Sequence, residues 1–86
     1  MANIKSQKKR ILTNEVARQR NQAIRSRLKS HRRVFAEALE SGDKAAAEAA
    51  LRRALRAYDT AVSAGVLHRN NAANHKAKLQ RQFNAA

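Results

Sequence analysis

The chain has no cysteine, no proline, no tryptophan and only two glycines among its 86 residues. Without cysteine, neither a disulfide framework nor a thiolate metal site can form, and a reducing cytoplasm is the expected compartment. The apolar runs are short and alanine-rich, far below the ~20 residues of a membrane span, and the N-terminus lacks the apolar core of a secretory signal. These absences argue against membrane and secreted protein classes.

Acidic residues are also scarce, since 6 Asp or Glu stand against 19 Lys or Arg, for a net charge of +13. Residues 5–33 contain eleven Lys or Arg and a single acidic residue, Glu15. On a helix, like charges three or four residues apart cost about 0.2–0.5 kcal/mol per pair, so this density indicates a counter-charge from outside. Neutral spacers such as Asn14, Gln19 and Asn21 are side chains that contact phosphate and ribose. The segment is therefore predicted to be a nucleic-acid-binding helix.

The two glycines divide the chain into three predicted helices, at about 5–41, 43–64 and 69–84. Ser41-Gly42-Asp43 is typical of a C-cap glycine followed by an N-cap aspartate, and Gly65 marks a second C-cap turn. Connections this short make neighbouring helices antiparallel. A chain of this length is expected to form one domain, residues 1–86. The predicted fold is all-α, a three-helix antiparallel bundle with a long, overhanging basic N-terminal helix.

Apolar residues recur at helical spacing and predict which faces form the core. In helix 1, basic residues lie opposite this apolar stripe, namely Arg25, Lys29, Arg32 and Arg33. In helix 2, the arginines at 52, 53 and 56 point away from it. The predicted core positions are Ile24, Leu28, His31, Phe35, Ala38 and Leu39 in helix 1, Ala46, Ala47, Ala50, Leu51, Ala54, Leu55, Ala57, Tyr58, Ala61 and Val62 in helix 2, and Ala72, Leu79 and Phe83 in helix 3.

The N-terminal part of helix 1 does not continue this stripe. Its apolar residues, Ile4, Ile11, Leu12 and Val16, lie on other sides of the helix, and helices 2 and 3 are too short to reach it. We therefore expect the first fifteen or so residues to project beyond the bundle and to become ordered against a partner.

Few residues are arranged for catalysis. The carboxylates at 37, 40, 43 and 48 cluster near the turn at Gly42, between helices 1 and 2. There they suit the N-terminus of helix 2 and ordinary surface ion pairs. His68 and His75 are seven residues apart with no carboxylate or cysteine nearby, so a zinc site is not expected. No glycine-rich phosphate loop and no Ser-His-Asp set is present. The chain is predicted not to be an enzyme and to use no metal, cofactor or small-molecule substrate.

The type of polyanion is a separate question. The three aromatic residues all lie on packing stripes, so the base-stacking platforms of single-strand binders are missing, and a long basic helix suits the backbone and shape of folded RNA. A general DNA-compacting protein is the alternative. A helix lying on a membrane surface is a third, although residues 5–22 lack tryptophan and large apolar side chains on one face. The segment from His68 to Asn71 opens helix 3, where it can bind a phosphate, cap the helix through Asn70 or Asn71, or do both.

The stretch from Gly65 to Leu79 reads GVLHRNNAANHKAKL and resembles the signature of the bacterial small-subunit ribosomal protein S-twenty family, which typically reads GVIHKNTAARKKSRL. The opening Met1-Ala2-Asn3-Ile4-Lys5-Ser6, with Lys9-Arg10 and Asn14, is similar to that family's N-terminus, as is the middle from Phe35 through the Gly42 turn to Leu51. Asn71 replaces Thr, Asn74 replaces a basic residue and Ala77 replaces Ser. These departures weaken the case for a phosphate contact at 74, whereas Asn71 can take over capping from Thr.

The resemblance implies a three-helix bundle that binds small-subunit ribosomal RNA directly during early assembly, low on the body of the subunit, with helix 1 among RNA helices of the 5′ domain and near the long 3′ minor-domain helix. It assigns N-terminal RNA contacts to Lys5, Lys9, Arg10 and Asn14, and helix 3 contacts to His68, Arg69, Asn70, Lys76 and Lys78. Together with the basic face of helix 1, the predicted RNA-binding residues are Lys5, Ser6, Lys8, Lys9, Arg10, Asn14, Arg18, Arg20, Asn21, Arg25, Arg27, Lys29, Arg32, Arg33, His68, Arg69, Asn70, Asn71, Lys76 and Lys78.

Overall fold

A computed structural model describes the backbone of residues 4–86 and the side chains of residues 8–86. This part of the chain forms three α-helices and no strand: α1 spans Ile4–Ser41, α2 spans Lys44–Ser63 and α3 spans Arg69–Ala85. The all-α prediction is confirmed, and each predicted helix boundary lies within one residue of the observed one.

The two glycines make the turns between the helices. Gly42 and Gly65 have φ angles of +77° and +76°, in the left-handed region that costs glycine little. Asp43 is the N-cap of α2, as predicted, and its Oδ1 accepts a hydrogen bond of 3.1 Å from the backbone N–H of Ala46. The N-cap of α3 is His68, whose Nδ1 accepts from the backbone N–H of Asn70 at 3.1 Å. The prediction that Asn70 or Asn71 caps α3 is wrong, because both already lie inside its first turn.

Helix α2 is the centre of the core. It packs against both α1 and α3, whereas α1 and α3 meet each other at few positions. The predicted α2 stripe is confirmed except at Ala46, which is exposed. The helices run antiparallel, since Arg32 of α1 contacts Tyr58 near the end of α2, and α3 meets α2 first at Asp59 and last at Lys44. The buried core residues are Leu28, Phe35, Ala47, Ala50, Leu51, Ala54, Tyr58, Ala61, Ala72 and Leu79.

Tyr58 is the largest fully buried side chain, and it connects all three helices. Its ring stacks on the imidazole of His75 in α3, with ring centroids 5.3 Å apart and 13° between the planes. Its hydroxyl oxygen accepts a hydrogen bond of 2.8 Å from Nη1 of Arg32 in α1. The prediction that Arg32 faces away from the core is therefore wrong, because the fully buried hydroxyl of Tyr58 requires a hydrogen-bond partner and Arg32 supplies it.

The N-terminal half of α1 extends beyond the other helices. At 1.5 Å per residue the 38 residues of α1 span about 57 Å, whereas the 20 residues of α2 span about 30 Å. The first α1 residue that packs against the core is Ile24, and we call residues 4–23 the overhang. The side chains of Ile11, Leu12 and Val16 are 68%, 66% and 58% exposed. The predicted overhang is confirmed and is longer than the fifteen residues expected, because α2 reaches back only to Ile24.

Candidate nucleic-acid interface

Two rows of polar side chains run along the exposed part of α1. The first row is Lys9, Arg20 and Arg27, whose separations of eleven and seven residues return to nearly the same side of a helix. The second row is Asn14, Arg18 and Arg25, separated by four and seven residues. All six side chains are exposed. The two rows flank the line that continues the packing face of α1 into the overhang, so they present hydrogen-bond donors on two sides of one rod.

Few of these cations have a carboxylate partner. Among residues 8–86 four ion pairs form, and every side chain in them is at least one-third exposed. Within the described part of the overhang the only pair is Arg18 with Glu15, at 2.7 Å. Surface pairs of this kind contribute little to folding and are readily exchanged for another anion. The positive charge of the overhang is therefore available to an external partner.

Asn21 has an unfilled hydrogen-bonding position. Its Oδ1 is buried and has no hydrogen-bond partner among the described residues. The amide lines a shallow depression on the second row together with Asn14, Arg18, Gln22 and Arg25. Because this oxygen has almost no accessible surface, the groups of the depression that can contact a partner are its exposed neighbours, Asn14, Arg18, Gln22 and Arg25.

The second row leads into a cleft between α1 and α3. This α1–α3 cleft has a volume of about 330 Å³, and its polar lining includes Arg25, Arg32, Asn71 and His75. Three of these four were predicted to bind RNA, from two segments that are nearly forty residues apart in sequence. The fold therefore brings the basic face of α1 and the first turns of α3 into one surface, although their relation could not be seen in the sequence.

The predicted residues of α3 do not all remain free. His68 caps the helix, and Nζ of Lys76 donates to Oδ1 of Asp59 at 2.7 Å, so both side chains already have structural partners. Arg69 and Asn70 are exposed in the first turn, and Lys78 lines a small depression with Asn71 and Asn74.

The remaining predicted residues lie apart from the two rows. Lys8, Arg10, Lys29 and Arg33 are exposed, and Arg33 lies 3.9 Å from Glu37. Lys29 and Arg33 lie on the side of α1 away from α2 and α3, so they can contact a different part of a partner. The side chains of Lys5 and Ser6 lie outside the described residues.

Two arginines of α2 join this surface although the sequence analysis did not select them. Arg53 and Arg56 line a second cleft, between α1 and α2, together with Arg27 and His31 of α1. Periodicity indicated only that these arginines point away from the core of α2, and it carries no information about how close they come to α1. Their position becomes visible only when the two helices are packed.

Among residues 8–86 no three His, Cys, Asp or Glu side chains come together as ligands for a metal ion. None of the helices described here combines the length and the apolar character needed to cross a membrane.

Comparison with known proteins gives a consistent result over nearly the whole chain. Residues 2–84 match the family model described as "Ribosomal protein S20". A relative from Corynebacterium jeikeium is 64% identical over 84 residues, covering 98% of this chain and 97% of its own. Relatives from Corynebacterium diphtheriae, with 64% identity over 98% of this chain and 97% of the relative, and from Arthrobacter sp. strain FB24, with 61% identity over 99% of both chains, are similar. Each of the three carries the name "Small ribosomal subunit protein bS20".

Proposed function

This chain belongs to the ribosomal protein S20 family, as its resemblance to the S-twenty family predicted, and on that premise we propose that it is a structural protein of the small ribosomal subunit that binds small-subunit ribosomal RNA directly and supports assembly. It acts in the cytoplasm as part of the ribosome, as a single RNA-binding domain over residues 1–86, and has no catalytic role. Its RNA-binding surface consists of the residues predicted from the sequence, with the overhang as the main element.

The observation that carries this proposal is the exposed overhang. A helix that projects about 30 Å from its core contributes nothing to that core, and its exposed apolar residues and unneutralised cations are unfavourable for a free protein. The cations become favourable when the rod lies between RNA helices, because each row then faces a phosphate backbone and releases its counterions.

The polar side chains favour RNA over DNA. The exposed Asn14 and Gln22, beside the cations of the second row, can hydrogen-bond to the ribose 2′-hydroxyl, a group that DNA lacks. The described helices also pack antiparallel, whereas a helix-turn-helix motif joins two helices at about 90–120°. The protein therefore recognises the backbone and shape of a folded RNA.

The direct test removes the cations at the end of the overhang. Replacing Lys8, Lys9 and Arg10 with alanine should weaken binding to small-subunit ribosomal RNA by at least about tenfold, because about three phosphate contacts are lost. Binding is measured by filter retention at fixed salt, and helicity by far-ultraviolet circular dichroism. The matched control replaces Lys44, Arg52 and Arg81, three cations outside the predicted surface. Equal weakening by both triple variants, or an equal loss of helicity by the overhang variant, would contradict the proposal.

Salt dependence and competition identify the partner. If α1 neutralises about 8 phosphates, the logarithm of the affinity should fall with the logarithm of salt concentration with a slope of about −6 to −7. A slope near −1 would exclude the basic face as the site. Duplex DNA of equal length should compete poorly with folded ribosomal RNA, and equal competition would instead favour the alternative, a general DNA-compacting protein. Retention on small subunits isolated in high salt tests the place of the protein in the particle.

A further inference from the structure

The cleft between α1 and α2 has the chemistry of a nucleotide-binding site. Four nitrogen-rich side chains line it: Arg27 and His31 from α1, and Arg53 and Arg56 from α2. The volume of the cleft is about 270 Å³, and it opens to solvent on the side of the bundle away from α3. We call it the α1–α2 cleft.

The cations of this cleft are not neutralised by the protein itself. No carboxylate among the described residues lines the cleft, and none forms an ion pair with any of its three arginines. The two acidic residues in the body of α2 are paired elsewhere, Glu48 with Arg52 at 2.8 Å and Asp59 with Lys76 at 2.7 Å. Three guanidinium groups that share one concave surface repel each other unless an anion lies among them.

The floor of the cleft is apolar. Ile24, Leu28 and Ala57 form it, and the hydroxyl of Thr60 on the rim donates to the backbone oxygen of Arg56 and so is not free to donate to a ligand. An apolar floor does not favour an inorganic ion, which keeps its hydration. It does favour a flat, weakly hydrated group that also carries negative charge, and guanidinium planes are a common surface on which an unstacked base lies.

The cleft is continuous with the overhang. Arg27, on its rim, is the last member of the first row, and Lys9 and Arg20 precede it on the same side of α1. Lys9 and Arg27 are eighteen residues apart, which is five turns or about 27 Å of helix. An RNA strand that follows the first row along the overhang therefore arrives at the mouth of the cleft.

We propose that the α1–α2 cleft binds one unstacked nucleotide of the RNA that contacts the overhang, with the base against the apolar floor and the flanking phosphate held by Arg53 and Arg56. The inference rests on the proposed function, and it adds α2 to the RNA-binding surface. It also names the ligand, a bulged or single-stranded nucleotide whose base is free to leave its stack.

The test compares charge removal inside and outside the cleft in the full chain. Replacing both Arg53 and Arg56 with glutamine should weaken binding to small-subunit ribosomal RNA by about tenfold or more and reduce the salt slope by about 0.7–0.9, because the one phosphate that both cations hold is no longer neutralised. The matched control replaces Arg52 and Arg81 with glutamine, which removes the same charge from other sides of α2 and α3. The control should change affinity by less than about threefold.

Two further measurements separate a nucleotide site from a simple charge effect. Acylation of ribose 2′-hydroxyl groups along the RNA should reveal a discrete reactive or protected nucleotide that changes in the Arg53→Gln/Arg56→Gln variant and not in the control. A variant with Arg53→Lys and Arg56→Lys keeps the charge but loses the planar donors, and it should restore the salt slope without restoring that nucleotide's pattern. Circular dichroism confirms that every variant remains helical.

The possible outcomes distinguish this inference from the function on which it rests. If the overhang variant loses affinity while the cleft variant behaves like its Arg52/Arg81 control, the cleft proposal is wrong and the proposed function stands. If the cleft and control variants weaken binding equally, with no nucleotide-specific change, the arginines act only through net charge and the proposal fails. If the wild-type protein does not bind the RNA saturably, both proposals fail.

Discussion

At the scale of single residues, Arg32 shows how one side chain can serve both the fold and the surface. One of its N–H groups donates to the buried hydroxyl of Tyr58, and a guanidinium has five donors in all. Arg32 also lines the α1–α3 cleft, beside Arg25 and Asn71. Arg32 is therefore held in place by the core, and a guanidinium that is already oriented loses less freedom when it binds a phosphate.

The hydrogen bond between Arg32 and Tyr58 should stabilise the fold. Tyr58→Phe removes the acceptor oxygen and should lower the free energy of unfolding by about 1–2 kcal/mol, because the bond joins a buried hydroxyl to a charged donor. Urea denaturation measures the change. Arg32→Met should cost a similar amount, and the double variant should cost less than the sum of the two. Strictly additive effects would show that the two groups do not interact in solution.

The sequence could not have predicted this pair. Helical periodicity assigns each residue a direction around the axis of its own helix, and Arg32 lies among the basic residues on one face of α1. Whether a neighbouring helix covers that direction depends on tertiary packing, and here α3 packs on α2 and leaves the space that Arg32 fills. The cap of α3 was missed for a related reason, since intrinsic preference favours asparagine at an N-cap over histidine, while the backbone turn at Gly65 places His68 at the first position.

At the scale of secondary-structure elements, α1 consists of two halves in different environments. From Ile24 onward its apolar residues pack against α2, whereas Leu12 and its neighbours are exposed. This division was predictable, because the periodic stripe stops at Ile24 and the glycines fix the lengths of the other helices. An apolar residue of this stripe from Ile24 onward therefore contributes to the stability of the core, whereas an apolar residue before Ile24 contributes to the exposed surface.

Two leucines of α1 test this division directly. Leu28 is 3% exposed and Leu12 is 66% exposed. Leu28→Ala should lower the free energy of unfolding by about 2–4 kcal/mol, because it opens a cavity beside α2. Leu12→Ala should change it by less than about 0.5 kcal/mol and provides the matched control. Urea denaturation followed by circular dichroism measures both. Comparable losses for the two variants would mean that the overhang packs against the protein.

At the scale of the whole molecule, charge and shape are related. The chain measures 62 × 22 × 13 Å and carries a net charge of +13. A rod separates like charges further than a sphere of the same volume does, so the extended shape reduces the repulsion within the free protein. The bundle nevertheless retains many unpaired cations on α1 and along the α1–α2 cleft, and these oppose its compaction.

The stability of the free protein should therefore increase with salt. Raising the ionic strength from about 0.01 M to 0.15 M shortens the Debye length from about 30 Å to 8 Å and screens repulsion across the bundle. The midpoint of thermal unfolding should rise over this range, as measured by circular dichroism with sodium chloride. A midpoint that falls instead would mean that the four surface ion pairs contribute more to stability than the excess positive charge removes.

Because α1 is one uninterrupted helix, the directions of its side chains around the helix axis are linked from one end to the other. Because a single helix runs from Ile4 into the bundle without glycine or proline, the bundle fixes the direction around the helix axis in which the side chains of residues 8–23 point. Deleting one residue between Arg20 and Ile24 would leave composition and charge almost intact. It would nevertheless rotate the residues before the deletion by about 100° around the helix axis relative to the bundle. The protein therefore transmits orientation as well as charge to whatever it touches, and its register along α1 is as much a determinant of recognition as any individual cation.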